Sequence, residues 1–232
     1  TPGGGAVTTA RIDARFAALK AEGRAGFVAY VMAGDPSTGA TLDILNGLVE
    51  AGADVLELGF PFSDPMAEGP TIQRAALRGL KSGLTLKGTL ELARRFREGN
   101  ADTPMILMGY LNPVEQMGYQ AFAEAADAAG VDGVILVDCP PEESADLVEA
   151  LDQGALDVLG RQADQAPVLE AYIPAPLVDP DQGLGAVSQA RARLDQRQDL
   201  GGGRLGPCPH HQRQMQILTR IGAPDHLTLP VD

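Results

Sequence analysis

Tryptophan is absent from this chain, and aromatic residues of all kinds make up only 4% of it. Cysteine is almost as scarce. Cys139 and Cys208 stand far apart and form neither a disulfide framework nor a metal-ligand cluster, so a reducing, cytoplasmic setting is expected and a metal is not. No apolar run approaches the roughly 18–20 residues that cross a bilayer, and no charged-then-apolar segment opens the chain, so no membrane role is expected. Basic residues are few: 18 Lys and Arg against 31 Asp and Glu leave a net charge of −13, which argues against electrostatic binding to nucleic acid or anionic lipid. Both the glycine-rich dinucleotide fingerprint and the P-loop are missing, which counts against an open nucleotide-binding sheet. What remains is 232 residues, 44% hydrophobic and 21% charged, enough to bury a core in one large domain or two small ones.

Composition changes near residue 160. All three lysines (Lys20, Lys81, Lys87) precede it, and all three histidines (His210, His211, His226) follow it. Acids divide 23 to eight and basic residues 11 to seven, so the first part carries about −12 of the net −13. Glutamine runs the other way, four before and nine after. Three parts are expected: a flexible tail over 1–10, a folded portion over 11–160, and a segment over 161–232 with little apolar periodicity. An abrupt shift of this kind is what disorder or translation in a shifted reading frame produces. If that last segment is genuine, the edges of the preceding sheet are expected to stay unpaired.

Two periodicities alternate through the first part. Short apolar runs at Phe27–Ala33, Val55–Phe60, Met105–Tyr110, Gly133–Asp138 and, weakly, Ala155–Leu159 read as strands. Helical patterns fall between them: Thr9–Ala21, Thr41–Ala51, Thr71–Lys81, Leu86–Arg97, Val114–Ala129 and Glu142–Leu151. Gly23, Gly52, Gly83, Gly99, Gly130 and Gly154 sit just past these patterns, where a left-handed C-cap is wanted. Pro141 before Glu142 and Glu143 suits a helix start. Strands that are apolar nearly throughout, alternating with helices, imply a parallel sheet covered by helices, an α/β class whose spacing favours a barrel. Eight units usually need about 250 residues, so the chain is short for a complete one.

The segment from Ala53 to Pro70 carries the most chemistry. Strand alternation puts Leu56, Leu58 and Phe60 on the helix-covered face and Val55, Glu57 and Gly59 on the barrel interior. An inward glutamate near the C-terminal end of a strand is costly unless satisfied, and that end is where barrel enzymes build their sites. Desolvation would raise its pKa and fit it to give and take a proton; the alternative is a glutamate satisfied by backbone or an arginine. The turn-rich loop that follows holds Asp64 and Glu68. Either is a second, mobile acid over a ligand, or simply a solvated loop carboxylate.

These words, together with Phe27–Pro36, Gly69-Pro70-Thr71-Ile72-Gln73, Tyr110-Leu111-Asn112-Pro113 and Asp138–Glu143, occur in the order and at about the spacing of the tryptophan synthase alpha chain family, which the chain resembles over residues 11 to about 160. The resemblance implies a (β/α)8 TIM barrel, apparently incomplete after the fifth strand. It implies a lyase that cleaves indole-3-glycerol phosphate to indole and glyceraldehyde 3-phosphate in tryptophan biosynthesis, with little or no turnover expected from this 232-residue form. The family's proton-transfer glutamate maps onto Glu57. Its loop aspartate maps onto Glu68, a departure that keeps the charge and adds one methylene. Tyr30, Met108 and Tyr110 match positions lining the indole pocket, with ordinary core packing as the alternative; alternation puts Asn112 on the face of Met108 and Tyr110. Asp64, Pro65, Asn112, Cys139 and Pro140 match the surface facing the beta chain, although Asp64 and Asn112 equally suit a turn and a strand-end cap. The beta chain is the expected partner, in an alpha2-beta2 tetramer, and the pyridoxal phosphate is expected there, with no cofactor in this chain. Two other readings stay open: a non-catalytic partner that modulates the beta chain, and another phosphate-handling barrel lyase or isomerase.

No segment matching the family's phosphate-binding loops follows. Gly201-Gly202-Gly203 lacks a preceding strand, and Cys208, His210 and His211 lack a fourth spaced ligand, so neither is read as a site.

Overall fold

Alternating strand and helix patterns fold as expected into parallel β/α units. The computed structural model describes residues 10–140, 143–153, 157–158 and 168–172. Helix α1 (Ala10–Glu22) precedes β1 (Gly26–Met32), α2 (Thr38–Glu50), β2 (Val55–Gly59), α3 (Pro70–Lys81), α4 (Leu86–Gly99) and β3 (Met105–Gly109). Then come α5 (Leu111–Met117), α6 (Tyr119–Ala128), β4 (Gly133–Leu136), α7 (Ala145–Gln153), β5 (Asp157–Val158) and β6 (Val168–Tyr172). The strands pair in parallel in the order β5-β4-β3-β2-β1-β6, an incomplete barrel wall. Strands β1, β2 and β3 are buried at every residue, as parallel strands covered on both faces must be.

The two faces of the sheet carry separate cores. On the outer face Ala29, Val31, Leu56, Leu58 and Leu107 meet Leu45, Leu48, Leu92, Phe96 and Phe122 of the helices. On the inner face Val28, Tyr30, Met32, Val55, Ile106, Met108 and Ile135 face one another, joined by Ile12 and Phe16 of α1 and by Ile72, Ala75 and Ala76 of α3. Ser37 and Thr85 cap α2 and α4, their side chains accepting from the N–H groups of Ala40 and Gly88. Gly23, Gly52, Gly83 and Gly130 take the positive φ expected past a helix end.

Four features depart from the sequence reading. The pattern over 114–129 is two helices, because Gly118 takes φ +88° between α5 and α6, a conformation that glycine adopts freely. Gly99 is the last residue of α4, and the extended Asn100 ends that helix instead. Helix α7 starts at Ala145, with the Ser144 carbonyl accepting the Val148 N–H at 2.8 Å, so Glu142 does not open it; Pro141 and Glu142 lie outside the described residues. Beyond residue 160, β6 pairs with β1 in register from Gly26↔Val168 to Tyr30↔Tyr172, so that edge of β1 is occupied. The N-terminal tail over 1–9, Gly154, the Gly201–Gly203 run and Cys208, His210 and His211 lie outside the described residues.

At the N-terminal ends of the strands lies an ion-pair layer with a sequence repeat behind it. Ala51-Gly52-Ala53-Asp54 precedes β2 and Ala129-Gly130-Val131-Asp132 precedes β4. Each aspartate is buried and accepts a backbone N–H of the preceding strand, Phe27 to Asp54 at 2.7 Å and Met105 to Asp132 at 2.8 Å. Arginines complete both sites. Asp54 is held by Arg15 and by both terminal nitrogens of Arg24, at 2.8 and 2.9 Å. Asp132 is held by Arg11 at 2.6 Å and Arg97 at 2.7 Å. Since Arg11 and Arg15 both belong to α1, this helix is clamped across the strand ends.

Candidate active site

The opposite, C-terminal ends of the strands gather the residues that the sequence singled out. Glu57 is central in β2, paired in register with Tyr30 of β1 and Ile106 of β3. Its neighbours two residues on, Val55 below and Gly59 above, alternate onto the inner face, so the carboxylate points inward as expected. Only 3% of Glu57 is exposed, on the face that also carries Val28, Tyr30, Met32, Ile106 and Met108. Gly59 serves a second purpose: a Cβ there would collide with the Tyr30 hydroxyl, so the missing side chain lets the Tyr30 ring lie over β2. Tyr30 and Met108 are both buried on this face.

After β2 the chain runs through Phe60–Gly69 before α3. Phe60 packs into the outer core, against Gly109 of β3, where any Cβ would strike its ring. The Phe62 ring stacks on Tyr110, with centroids 5.1 Å apart and planes 29° apart. The Tyr110 hydroxyl accepts the Ala67 N–H at 2.8 Å and donates to the Glu68 carboxylate. Gln73 of α3 reaches back into the loop, its amide donating to the carbonyls of Glu68 at 3.0 Å and Pro65 at 3.3 Å. Burial pushes the half-buried Glu68 carboxyl above its ordinary range; the Tyr110 hydrogen bond opposes this shift, and the Asp138 charge adds to it. Burial and the bond to Glu68 likewise push the Tyr110 phenol up.

Helix α3 is itself anchored. Arg78 grips the buried Asp35 at the end of β1 in a two-pronged pair, at 2.6 and 2.7 Å. Gly79 permits the approach, since a Cβ there would come within 2.6 Å of the Ala33 carbonyl oxygen. The loop that carries Glu68 thus rests on a helix fixed to the neighbouring strand.

The remaining positions lie around this rim. Asp64 and Met66 are exposed at the loop apex, Met66 to 84%, and Ser63 Oγ donates to Asp64 at 2.5 Å. Pro65 and Cys139 are half-buried, Pro140 is exposed, and burial pushes the Cys139 thiol up. Asn112 does not continue the alternation of Met108 and Tyr110. The chain turns into α5 at Leu111, and Asn112 stands exposed in its first turn, where its Oδ1 accepts from Gln116 at 2.9 Å. Asp138, at the end of β4, accepts the Leu111 N–H at 2.7 Å and so ties the β3 and β4 ends together. Among the described residues no group of three or more His, Cys, Asp or Glu is arranged to hold a metal, and no helix is long and apolar enough to cross a membrane. Sequence reasoning gave no role to Gln73, Phe62 or Asp138. Gln73 ends the Gly69–Gln73 run, but its partners are backbone carbonyls that no residue pattern reveals.

The second strand and the loop after it lie within the span that the family comparison covers. A model of the tryptophan synthase alpha chain matches residues 16–163. The chain belongs to the tryptophan synthase alpha chain family. The alpha chain of Caulobacter sp. strain K31 is 70% identical over 146 residues, 63% of this chain and 53% of that one. The chain therefore spans about half the length of the curated relatives it matches. The crystal structure of the alpha subunit from Legionella pneumophila str. Paris superposes with a TM-score of 0.63 at 39% identity, over 82% of this chain and 74% of that one. A structure of the tryptophan synthase a2b2 complex of Pyrococcus furiosus gives a TM-score of 0.55 at 38% identity, over 57% of this chain and 56% of that one. Membership in the tryptophan synthase alpha chain family agrees with the α/β, parallel, incomplete barrel seen here.

Proposed function

We propose that this chain carries the alpha reaction of tryptophan synthase, the lyase cleavage of indole-3-glycerol phosphate to indole and glyceraldehyde 3-phosphate. One observation carries the reading: Glu57, a buried acid, points from β2 into an inner face lined by Tyr30, Ile106 and Met108. Retro-aldol cleavage needs such a group. Protonation of indole C3 gives a cationic indolenine. The side-chain hydroxyl then loses its proton as the aldehyde forms, and the electrons of the broken carbon–carbon bond restore the indole ring. Glu57 gives the first proton and a carboxylate recovers the second, so protons balance over the cycle. Glu68 is the acid whose negative charge stabilises the cationic ring nitrogen. Tyr30, Met108 and Tyr110 supply walls for a flat, apolar heterocycle.

The rim residues Asp64, Pro65, Asn112, Cys139 and Pro140 form the docking face for a beta chain in an alpha2-beta2 assembly. Pyridoxal phosphate belongs to that partner, and this chain's own chemistry is proton transfer without a cofactor. A cytoplasmic setting fits such a pathway. Residues 11–160 form most of the barrel portion of the chain, and β6 joins its sheet from beyond the family match, which ends at residue 163.

Indole release from indole-3-glycerol phosphate, measured with a beta chain present, tests the reading. The parent releases indole slowly, in keeping with the little turnover expected from the sequence, and Glu57→Gln lowers kcat by about 10²–10⁴-fold with an unchanged circular dichroism spectrum. Release at the parental rate by Glu57→Gln would overturn the assignment.

A further inference from the structure

The Tyr110 hydroxyl is used twice: it accepts the Ala67 N–H at 2.8 Å and donates to the carboxylate of the next residue, Glu68. Its ring is fixed by the Phe62 stack, and the residue is buried at the end of β3. A phenol whose acceptor role is filled by a backbone N–H has its O–H direction set by that bond, and here the remaining direction leads to Glu68. A pocket wall requires none of this; phenylalanine would serve as well.

We propose that Tyr110 is a positioning residue for Glu68: its hydroxyl, oriented by the Ala67 N–H, fixes where the carboxylate sits and favours its ionised form. Such a donor stabilises the charged acceptor more than the neutral one. Among the described residues, two titratable groups act on the Glu68 carboxyl, Tyr110 from the end of β3 and Asp138 from the end of β4. Asp138 opposes ionisation by like charge, and the phenol, together with the backbone N–H of Glu68 itself, counters both it and burial. A ligand N–H that binds Glu68 then meets a carboxylate already held in place. The inference deepens the proposed alpha reaction and rests on it for the catalytic consequence, but the pairing itself needs no turnover to be seen.

The test uses the full chain and two single variants. In Tyr110→Phe, the carbon-13 carboxyl signal of Glu68 titrates at higher pH than in the parent. In Glu68→Gln, the Tyr110 phenol, followed by ultraviolet difference absorbance, ionises at lower pH than in the parent. With indole-3-glycerol phosphate and a beta chain, Tyr110→Phe lowers kcat by about 10- to 100-fold. KM changes less than about threefold, and the acid limb of the pH profile moves upward. Unmoved midpoints in both titrations would overturn the inference, as would a raised KM with parental kcat, the signature of a simple wall. A parent that releases no indole while both midpoints move would overturn the proposed reaction and leave the Tyr110–Glu68 pairing established.

Discussion

Asp54 and Glu68, at opposite ends of the same strands, are treated in opposite ways. At the N-terminal end, burial tends to raise the Asp54 pKa, but Arg24, the Phe27 N–H and Arg15 outweigh it and hold the carboxyl below its ordinary range. At the C-terminal end, burial of Glu68 prevails over its hydrogen bond from Tyr110, and the carboxyl stands above its range. One end uses its acids as fully paired anchors for α1. The other, where Arg78 likewise pairs Asp35, holds Glu68, the acid that the proposed reaction uses. This division matches the barrel rule that bottom-face residues serve stability and top-face residues serve chemistry, and the side chains named here show its physical cause in the number of cationic partners each acid is given.

Removing an anchor and crowding the site should therefore have different consequences. Asp132→Ala strips the shared partner from Arg11 and Arg97 and the acceptor from the Met105 N–H. Breaking a buried pair on one side costs about 3–5 kcal/mol, a large part of the about 5–15 kcal/mol that holds a typical domain together. Urea denaturation should show this loss, while the folded fraction of the variant keeps parental kcat. Gly59→Ala puts a methyl group into the Tyr30 hydroxyl. Overpacking of this kind costs about 1–3 kcal/mol, less than the first variant, yet here indole release should fall further than the urea midpoint predicts. If Asp132→Ala lowers kcat of folded protein and Gly59→Ala does not, the division between the two ends is wrong.

Much of this was legible in residue order, and what was not has a physical reason. Strand alternation placed Glu57 on the inner face because a buried parallel strand has only two sides, and Leu56 and Leu58 claim the outer one. Capping glycines marked Gly23, Gly52, Gly83 and Gly130 because positive φ excludes most other residues. The arginine layer escaped notice because its partners lie 30 to 121 residues apart. Its one local trace was the repeated Ala-Gly-x-Asp word before β2 and β4. Asn112 was misplaced because alternation holds only while the chain stays extended, and Asp138, from the next strand, ends β3 by taking the Leu111 N–H. Strand β6 hid among prolines, Pro167 and Pro174 lying on either side of five residues that satisfy the β1 edge. The hold of Tyr110 on Glu68 needs tertiary contact between a loop and a strand end 42 residues later, which no spacing rule encodes.

Carbon-13 carboxyl titration of Asp54 and Glu68 in one sample tests the contrast most directly. Asp54 should titrate below the ordinary aspartate value of about 3.9, and Glu68 above the ordinary glutamate value of about 4.3. The linkage signs follow: the stabilising contribution of Asp54 is present above its unfolded-state value and lost as pH falls through its lower folded value, whereas that of Glu68 is present below its unfolded-state value and lost as pH rises through its higher folded value. Midpoints displaced in the same direction, or both at their ordinary values, would contradict the account.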